Sequence, residues 1–256
     1  MKMFQIYMSK SEAVNVDMWK RCRDNGFKAM CLTTDTQLLG KRDSDVRIRF
    51  ELPSHLDLAN LAPYKKAGEQ NKVSNAKQSA LAEYVASHKD NSIDWTIIPY
   101  VKRVSQLPVF AKGVMTYEDT LLALKNGADG IFVSNHGARQ LDTTPATIQI
   151  LGSVMSAISA SGRSKVPVIF DGGVRTGEDV LKALIMGADV VMIGRPVLYG
   201  LACDGQTGVE RVLQIMNEEL KQAMLSTGCM NIAQARGNMK LLYSNYDSLF
   251  TRRPKL

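Results

Sequence analysis

The sequence predicts an α/β fold of the (β/α)₈ barrel type, and two repeated features support this prediction. Short apolar runs are separated, for the most part, by stretches with helical spacing. The tripeptide Gly-Ala-Asp at 127–129 also recurs at 187–189, each time between a helical stretch and an apolar run. Repeated units of helix, turn and strand are typical of consecutive βα units in a parallel sheet.

Six apolar runs are predicted to be strands. They cover residues 4–8, 29–33, 109–112, 130–134, 168–171 and 190–194. Because eight strands are needed to close such a barrel, we expect a barrel truncated at its N-terminus, with about six of the eight βα units present.

Helical spacing predicts helices over 118–125 and 177–184, and an amphipathic outer helix over 208–225. The first two begin with acidic residues and end before a glycine, as helix termini prefer. Thr116 and Thr176 stand just ahead of these acidic pairs, where helix-start residues are expected.

The region around 50–95 interrupts this rhythm because it is polar and contains prolines and a glycine. Such an insertion is usually a substrate-covering loop or an interface segment, and we expect residues 65–77 to be mobile and 80–85 to be helical. We therefore expect one partial-barrel domain over 1–238 and a C-terminal tail over 239–256.

The composition excludes several classes of function. With 45% hydrophobic and 22% charged residues, the 256-residue chain fits a single globular domain. Its net charge of +7 is scattered, which disfavours nucleic-acid binding, and its apolar stretches are too short to cross a membrane. Four cysteines without Cys-x-x-Cys spacing and three histidines predict neither a metal site nor a disulfide framework, so a reducing compartment is expected.

The last three residues, Pro-Lys-Leu, are related to the Ser-Lys-Leu peroxisomal address. They predict a peroxisomal location. A chance tail on a cytoplasmic protein is the alternative.

The segment 134–142 follows a predicted strand, at the end of the sheet where α/β barrels carry their chemistry. Its His136 lies three residues before Arg139, which places a titratable base beside a fork that binds carboxylates. Lys112 also ends a strand, where a lysine is about equally often a surface residue. Because it follows Val-Phe-Ala and precedes Gly113, its ammonium group is expected to point into the barrel mouth. Asp35 and Arg42 lie beyond the strand at 29–33, but their spacing alone is equally typical of a surface turn.

Two strand ends combine glycine with arginine, at 171–175 and 194–196. Glycines let backbone N–H groups approach a phosphate, and a following helix adds the positive end of its dipole. Arg175 and Arg195 supply fixed positive charge. The last two strands of the chain therefore predict a phosphate site, a recurrent arrangement in (β/α)₈ barrels.

Taken together, these segments resemble the FMN-dependent α-hydroxy acid oxidase/dehydrogenase family, whose members include glycolate and lactate oxidases. The resemblance covers roughly residues 4–236 in family order, and Ser-Asn-His-Gly-x-Arg-Gln at 134–140 is close to diagnostic. The other matching segments are residues 4–7, 32–36, 39–42, 112–114, 145–147, 171–175 and 193–196.

The resemblance implies a role for each matching residue. His136 resembles the active-site base, Asp35 the carboxylate that stabilises its imidazolium, and Tyr7 the phenol that binds the substrate. Arg42 and Arg139 match the pair that grips the substrate carboxylate. The residues that match FMN contacts are Gln5, Thr33, Lys112, Ser134, Asp171, Gly173, Arg175, Gly194 and Arg195.

The resemblance further implies oxidation of a short L-2-hydroxy acid, of the glycolate or lactate class, to the 2-oxo acid, with O₂ reoxidising FMN to give hydrogen peroxide. A homo-oligomer, a tetramer in this family, is expected. Two alternatives stay open: a truncated, inactive fragment without flavin, and another FMN-binding barrel oxidoreductase.

Overall fold

The computed structural model describes residues 2–48, 52–53, 55–64, 84, 86–163 and 165–242. Its strands are β1 (Met3–Ile6), β2 (Ala29–Thr33), β3 (Val109–Val114), β4 (Gly130–Val133), β5 (Val168–Phe170) and β6 (Val190–Val191). They form one sheet in chain order, and the pairs β1–β2, β2–β3 and β5–β6 are parallel. The predicted fold, a (β/α)₈-type barrel of which about six units are present, is therefore confirmed.

Helices alternate with these strands. They are α1 (Glu12–Asp24), α2 (Asp43–Ile48), α3 (Ile97–Ser105), α4 (Tyr117–Lys125), α5 (Thr147–Ala160), α6 (Gly177–Ile185), α7 (Arg195–Ser226) and α8 (Ile232–Ala235). Short 3₁₀ turns cover Ala62–Tyr64, His136–Ala138 and Met239–Leu241. No helix in the described part of the chain has the length and apolarity that a membrane span requires.

The predicted helix over 208–225 corresponds to the second of two helical segments in α7, because the backbone breaks at Asp204 and Gly205. Helix α7 begins at Arg195, with Pro196 in its first turn, where proline fits because the N–H it lacks would have no helical partner. A kink at Asp204 (φ −153°, ψ 39°) and Gly205 (φ 51°, ψ −134°) separates this first segment from the one that follows. The predicted mobile segment 65–77 and most of 80–85 lie outside the described residues, as does the tail from 243 onward.

The chain divides into two compact units. The first comprises Met1–Val114, Leu122–Ile131 and Ala138–Thr144, and the second comprises Met115–Leu121, Phe132–Gly137 and Pro145–Leu256.

The core of the first unit forms around β2, all five residues of which are buried. Ile98 and Val101 of α3 are fully buried, and Trp19 of α1 packs edge-on against the Tyr100 ring at 5.8 Å between centroids. Helix α1 also holds the loop after β1, because the buried Asn15 amide both donates to and accepts from the backbone of Ser9, each at 2.9 Å.

The core of the second unit lies between α6, α7 and α8, where Leu181, Ile185, Cys229 and Ala235 are buried together. Helix α6 begins with a capping box, because Thr176 accepts from the Asp179 N–H while Asp179 accepts from the Thr176 N–H. The expected helix-start role of Thr176 is thus confirmed, and Thr116 caps α4 in the same way by accepting from the Asp119 N–H at 3.0 Å.

The repeated Gly-Ala-Asp turns have one structural role in both units. In the first unit, Asp129 accepts from the Val109 N–H at 2.8 Å and also pairs with Lys102 at 2.8 Å. In the second unit, Asp189 accepts from the Val168 N–H at 2.7 Å and pairs with Arg236. Asp129 therefore fixes the first residue of β3 and Asp189 fixes the first residue of β5, both at the amino ends of the strands.

Candidate active site

In the first unit, three residues predicted to contact flavin lie together at the carboxyl ends of β1, β2 and β3. The Gln5 amide donates to the Thr33 hydroxyl at 2.5 Å. Thr33 is buried, and it is the register partner of Lys112 on the neighbouring strand. Because the strands are parallel, their carboxyl ends lie at the same edge of the sheet. The Gln5–Thr33 hydrogen bond and Lys112 therefore lie close together at that edge.

Tyr7 follows β1 directly and is half-buried. Its pKa is raised, first because burial disfavours the phenolate and second because the Asp35 carboxylate is near; Gln5, Arg42 and Arg139 oppose this rise. The phenol therefore keeps its proton at neutral pH and can donate a hydrogen bond. These shifts also place the predicted substrate-binding residues of the first unit, Tyr7, Arg42 and Arg139, within electrostatic reach of one another.

Asp35 packs against a glycine that no other residue could replace without displacement. Gly113 has a φ of 105°, and a Cβ atom there would lie 2.5 Å from the Asp35 Cβ and Cγ atoms. Thr36 donates to Asp35 Oδ1 at 2.8 Å. The carboxylate is thus positioned by the strand end that carries Lys112.

Arg42 has little exposed surface, 13% of its side chain, and is held by three contacts. Its guanidinium donates to the Arg139 carbonyl and to the Gln140 side-chain oxygen, both at 3.3 Å, and it lies 3.4 Å from an Asp45 carboxylate oxygen. Gly40 permits this arrangement because a Cβ atom there would meet the Arg139 carbonyl oxygen at 2.3 Å. The predicted pair Arg42 and Arg139 is therefore brought together.

Gln140 is a positioning residue to which the sequence analysis gave no role. Its amide donates to the backbone carbonyls of Asp35 and Leu38, at 3.2 and 2.9 Å, while its oxygen accepts from Arg42. It therefore links the loop after β2 to the segment that carries Arg139. Its place inside the diagnostic segment was the signal that could have identified it.

In the second unit, the predicted base His136 follows β4 in a strained turn. Its φ of 56° is uncommon for a residue with a side chain, and Gly137 and Ala138 continue in the same left-handed region. The fully buried Ser134 accepts from the His136 N–H at 3.1 Å, which fixes the backbone of this turn. Strained backbone of this kind concentrates at functional sites.

The predicted phosphate loops also belong to the second unit. Gly172 and Gly173 have φ of 100° and 77°, and the Thr147 hydroxyl donates to the Gly172 carbonyl at 3.2 Å. Apart from the adjoining residues, nothing in the described part of the chain lies within 4 Å of the position that a Cβ atom would take at Gly173 or Gly194, so both backbones are open to a close approach. This space, at the beginnings of two helices, fits an anion such as a phosphate.

The arginines of these loops, Arg175 and Arg195, are exposed. The Arg195 guanidinium donates to the Gly137 carbonyl at 2.9 Å, which joins the predicted phosphate loop to the His136 turn. The backbone N–H of Arg175 donates to Asp179 at 3.1 Å. Asp171 lies between β5 and these glycines and is half-buried. Among the described residues, no cluster of His, Cys, Asp or Glu could hold a metal ion.

Known proteins are similar to this chain over most of its length. A family model described as FMN-dependent dehydrogenase matches residues 1–241. Glycolate oxidase 3 of Oryza sativa subsp. indica is 47% identical over 237 residues, which are 93% of this chain and 62% of that protein. Glycolate oxidase of Spinacia oleracea is 44% identical over 233 residues, 91% of this chain and 61% of that protein.

Among solved structures, a mandelate oxidase with (S)-4-hydroxymandelic acid superposes with a TM-score of 0.81 at 37% identity. The match covers 91% of this chain and 63% of that one. The chain thus spans only about three fifths of the length of the proteins it matches.

Proposed function

This chain belongs to the FMN-dependent dehydrogenase family, and we propose on that premise that it oxidises a short L-2-hydroxy acid to the 2-oxo acid with FMN as its cofactor. The observation that carries the proposal is the cluster at Tyr7, where a protonated phenol lies in the field of Asp35, Arg42 and Arg139. Such a cluster suits an α-hydroxy carboxylate, which needs an anion clamp and a hydrogen-bond donor.

The residues of the first unit are proposed to bind and orient the substrate. Arg42 and Arg139 would grip its carboxylate, because guanidinium groups bind carboxylates in a fixed, planar geometry. Tyr7 would donate a hydrogen bond to a substrate oxygen. Gln140 and Gly40 act through the arginines, since they set where these side chains lie.

His136 is proposed to accept a proton from the substrate, either from its hydroxyl group or from Cα. Asp35 is proposed to stabilise the imidazolium that forms. FMN, when bound, accepts the two electrons that leave the substrate.

Residues that would contact flavin are proposed for each unit separately. Gln5, Thr33, Lys112 and Ser134 are proposed to contact its ring system, and a cation such as Lys112 favours the negative charge of a reduced flavin. Asp171, Gly173, Arg175, Gly194 and Arg195 would bind its ribityl chain and phosphate. Support comes from the open backbone at Gly173 and Gly194 in the second unit.

We further propose O₂ as the electron acceptor, a homo-oligomer, a peroxisomal location, and a catalytic domain over 1–238. The family resemblance and the C-terminal Pro-Lys-Leu support these proposals.

One preparation tests the central proposal. The purified chain, supplied with FMN, should show a flavin spectrum that bleaches when glycolate or L-lactate is added without oxygen. His136→Ala should keep the flavin spectrum and lose the bleaching, whereas the exposed His55→Ala should behave as the unmodified chain does. A colourless protein that FMN cannot restore, or undiminished bleaching in His136→Ala, would contradict the proposal.

A further inference from the structure

Lys89 is a buried cation that the proposed mechanism does not use. The residue is 7% exposed, and its Nζ atom has no hydrogen-bond partner within the described part of the chain. Burial lowers the pKa of this lysine, and the nearby Asp35 carboxylate opposes that shift. Lysine is almost never buried to this extent without a partner, because removing an ammonium group from water is costly.

The backbone fixes Lys89 beside the substrate-binding phenol. Residues 88–90 run antiparallel to residues 8–10, which follow β1: Ser9 and Lys89 form a bridge, and the Asp90 N–H donates to the Met8 carbonyl at 2.7 Å. The Lys89 ammonium lies 5.9 Å from the centre of the Tyr7 ring, within the range of a cation–π contact. The lysine is therefore held next to the cluster that is proposed to bind the substrate.

The arginines near Tyr7 and Lys89 differ in how free their charges are to bind a further anion. Arg42 already lies beside Asp45 and is held by the 139–140 segment, so its charge and direction are largely set. Together with Arg139 it is sufficient for one carboxylate. Lys89 adds a third positive charge beside the same phenol. A charge that is removed from water gains the most interaction energy from an anion that is also shielded from water.

We propose that Lys89 binds a second carboxylate of the substrate, so that the site favours 2-hydroxy dicarboxylic acids over monocarboxylic ones. This inference rests on the proposed function, since it assigns the first carboxylate to Arg42 and Arg139. The two carboxylates of a four-carbon acid are separated by three C–C bonds of about 1.5 Å each. A molecule of that length can engage two cationic groups that both lie close to Tyr7.

Substrate preference tests this role directly. The ratio of kcat/KM for L-malate to kcat/KM for L-lactate should exceed one in the unmodified chain. In Lys89→Met, which keeps the length of the side chain and removes its charge, the ratio should fall by about tenfold or more, as expected for a lost charged hydrogen bond. Lys28→Met is the matched control, because Lys28 is exposed just before β2, at the opposite end of that strand.

Binding of unreactive acids separates this inference from the proposed function. In calorimetric titrations, succinate should bind the unmodified chain about tenfold or more tightly than propionate does, and Lys89→Met should lose that preference. If neither hydroxy acid is oxidised but this preference is found and lost as described, the proposed function fails while the role of Lys89 stands.

The role is overturned if the unmodified chain does not prefer succinate, or if Lys89→Met keeps the preference. It is also overturned if both hydroxy acids lose kcat/KM equally, because the lysine would then act through Tyr7 or Asp35. Lys89→Gln provides a second neutral variant should Lys89→Met fail to fold.

Discussion

Replacing Gly113 with alanine should disturb the candidate site through Asp35. Two costs add at this position. The φ of 105° lies in a region that L side chains rarely adopt, which costs about 1–2 kcal/mol, and the new Cβ atom would lie 2.5 Å from Asp35 carbons, where crowding adds about 1–3 kcal/mol. We expect Gly113→Ala to lower the free energy of unfolding by about 2–5 kcal/mol in total. This is a large part of the 5–15 kcal/mol by which a typical domain is stable.

Gly26→Ala is the matched control. Gly26 also has a positive φ, 76°, but nothing lies within 4 Å of its added Cβ atom. It should therefore cost only about 1–2 kcal/mol. Urea unfolding followed by circular dichroism measures both variants, and the midpoint shift at constant slope gives the difference in stability.

A double substitution tests whether Asp35 is the cause. Asp35→Gly removes the carbons that the new Cβ atom would meet, so Gly113→Ala should cost about 1–3 kcal/mol less in that background. Gly113→Ala should also slow flavin reduction, since Asp35 is displaced. The reasoning is refuted if Gly113→Ala costs no more than Gly26→Ala, or if its cost is unchanged beside Asp35→Gly.

The remaining predictions concern a buried charge, a helix cap and the phosphate loop. Lys89→Met should raise the free energy of unfolding by about 1 kcal/mol at pH 7, because it removes a buried charge that has no hydrogen-bond partner among the described residues. Because folding lowers the pKa of Lys89, the unfolded chain binds the Lys89 proton more tightly than the folded chain does. The stability gained in Lys89→Met should therefore shrink as the pH rises toward 10. A gain that stays constant with pH in urea unfolding argues against burial of the charge as its cause. Thr176→Ala should cost about 1 kcal/mol in the same assay, because the Asp179 N–H loses its acceptor, and no loss would show that the cap is dispensable. Arg195→Met should weaken FMN binding about tenfold in a fluorescence titration, whereas Arg211→Met, on the same helix, should not; equal affinities would remove Arg195 from the phosphate site.

Sequence patterns predicted those strands and helices whose ends carry turn, capping or glycine residues. The strand predicted at 29–33 is β2 to the residue, because its apolar run is bounded by a glycine turn and by polar residues. Helix α6 begins and ends within one residue of its prediction, because Thr176 caps it and Gly187 follows it. In α7 only the segment before the kink at Asp204 and Gly205 was missed. The backbones of Gly200 and Gly208 touch across that kink, a tertiary contact that no local pattern predicts.

Site residues, too, were predictable from local patterns but not where they depend on long-range pairing. The strand ends supplied Thr33 and Lys112, since parallel strands bring their carboxyl ends together whatever the detail of packing. The burial of Lys89 could not be predicted, because it depends on pairing between residues 8–10 and 88–90, which are about eighty positions apart in the chain. No local pattern distinguishes such a lysine from one in solvent.

The Gly-Ala-Asp turns have a consequence for how this protein can change. Asp129 and Asp189 fix strands at their amino ends, whereas the candidate chemistry lies after the carboxyl ends. Substitutions at these aspartates should alter expression level and thermal tolerance while leaving substrate choice alone. The loops at the opposite end are correspondingly free to diversify, so laboratory evolution toward new hydroxy acids can vary them while selection preserves the two turns.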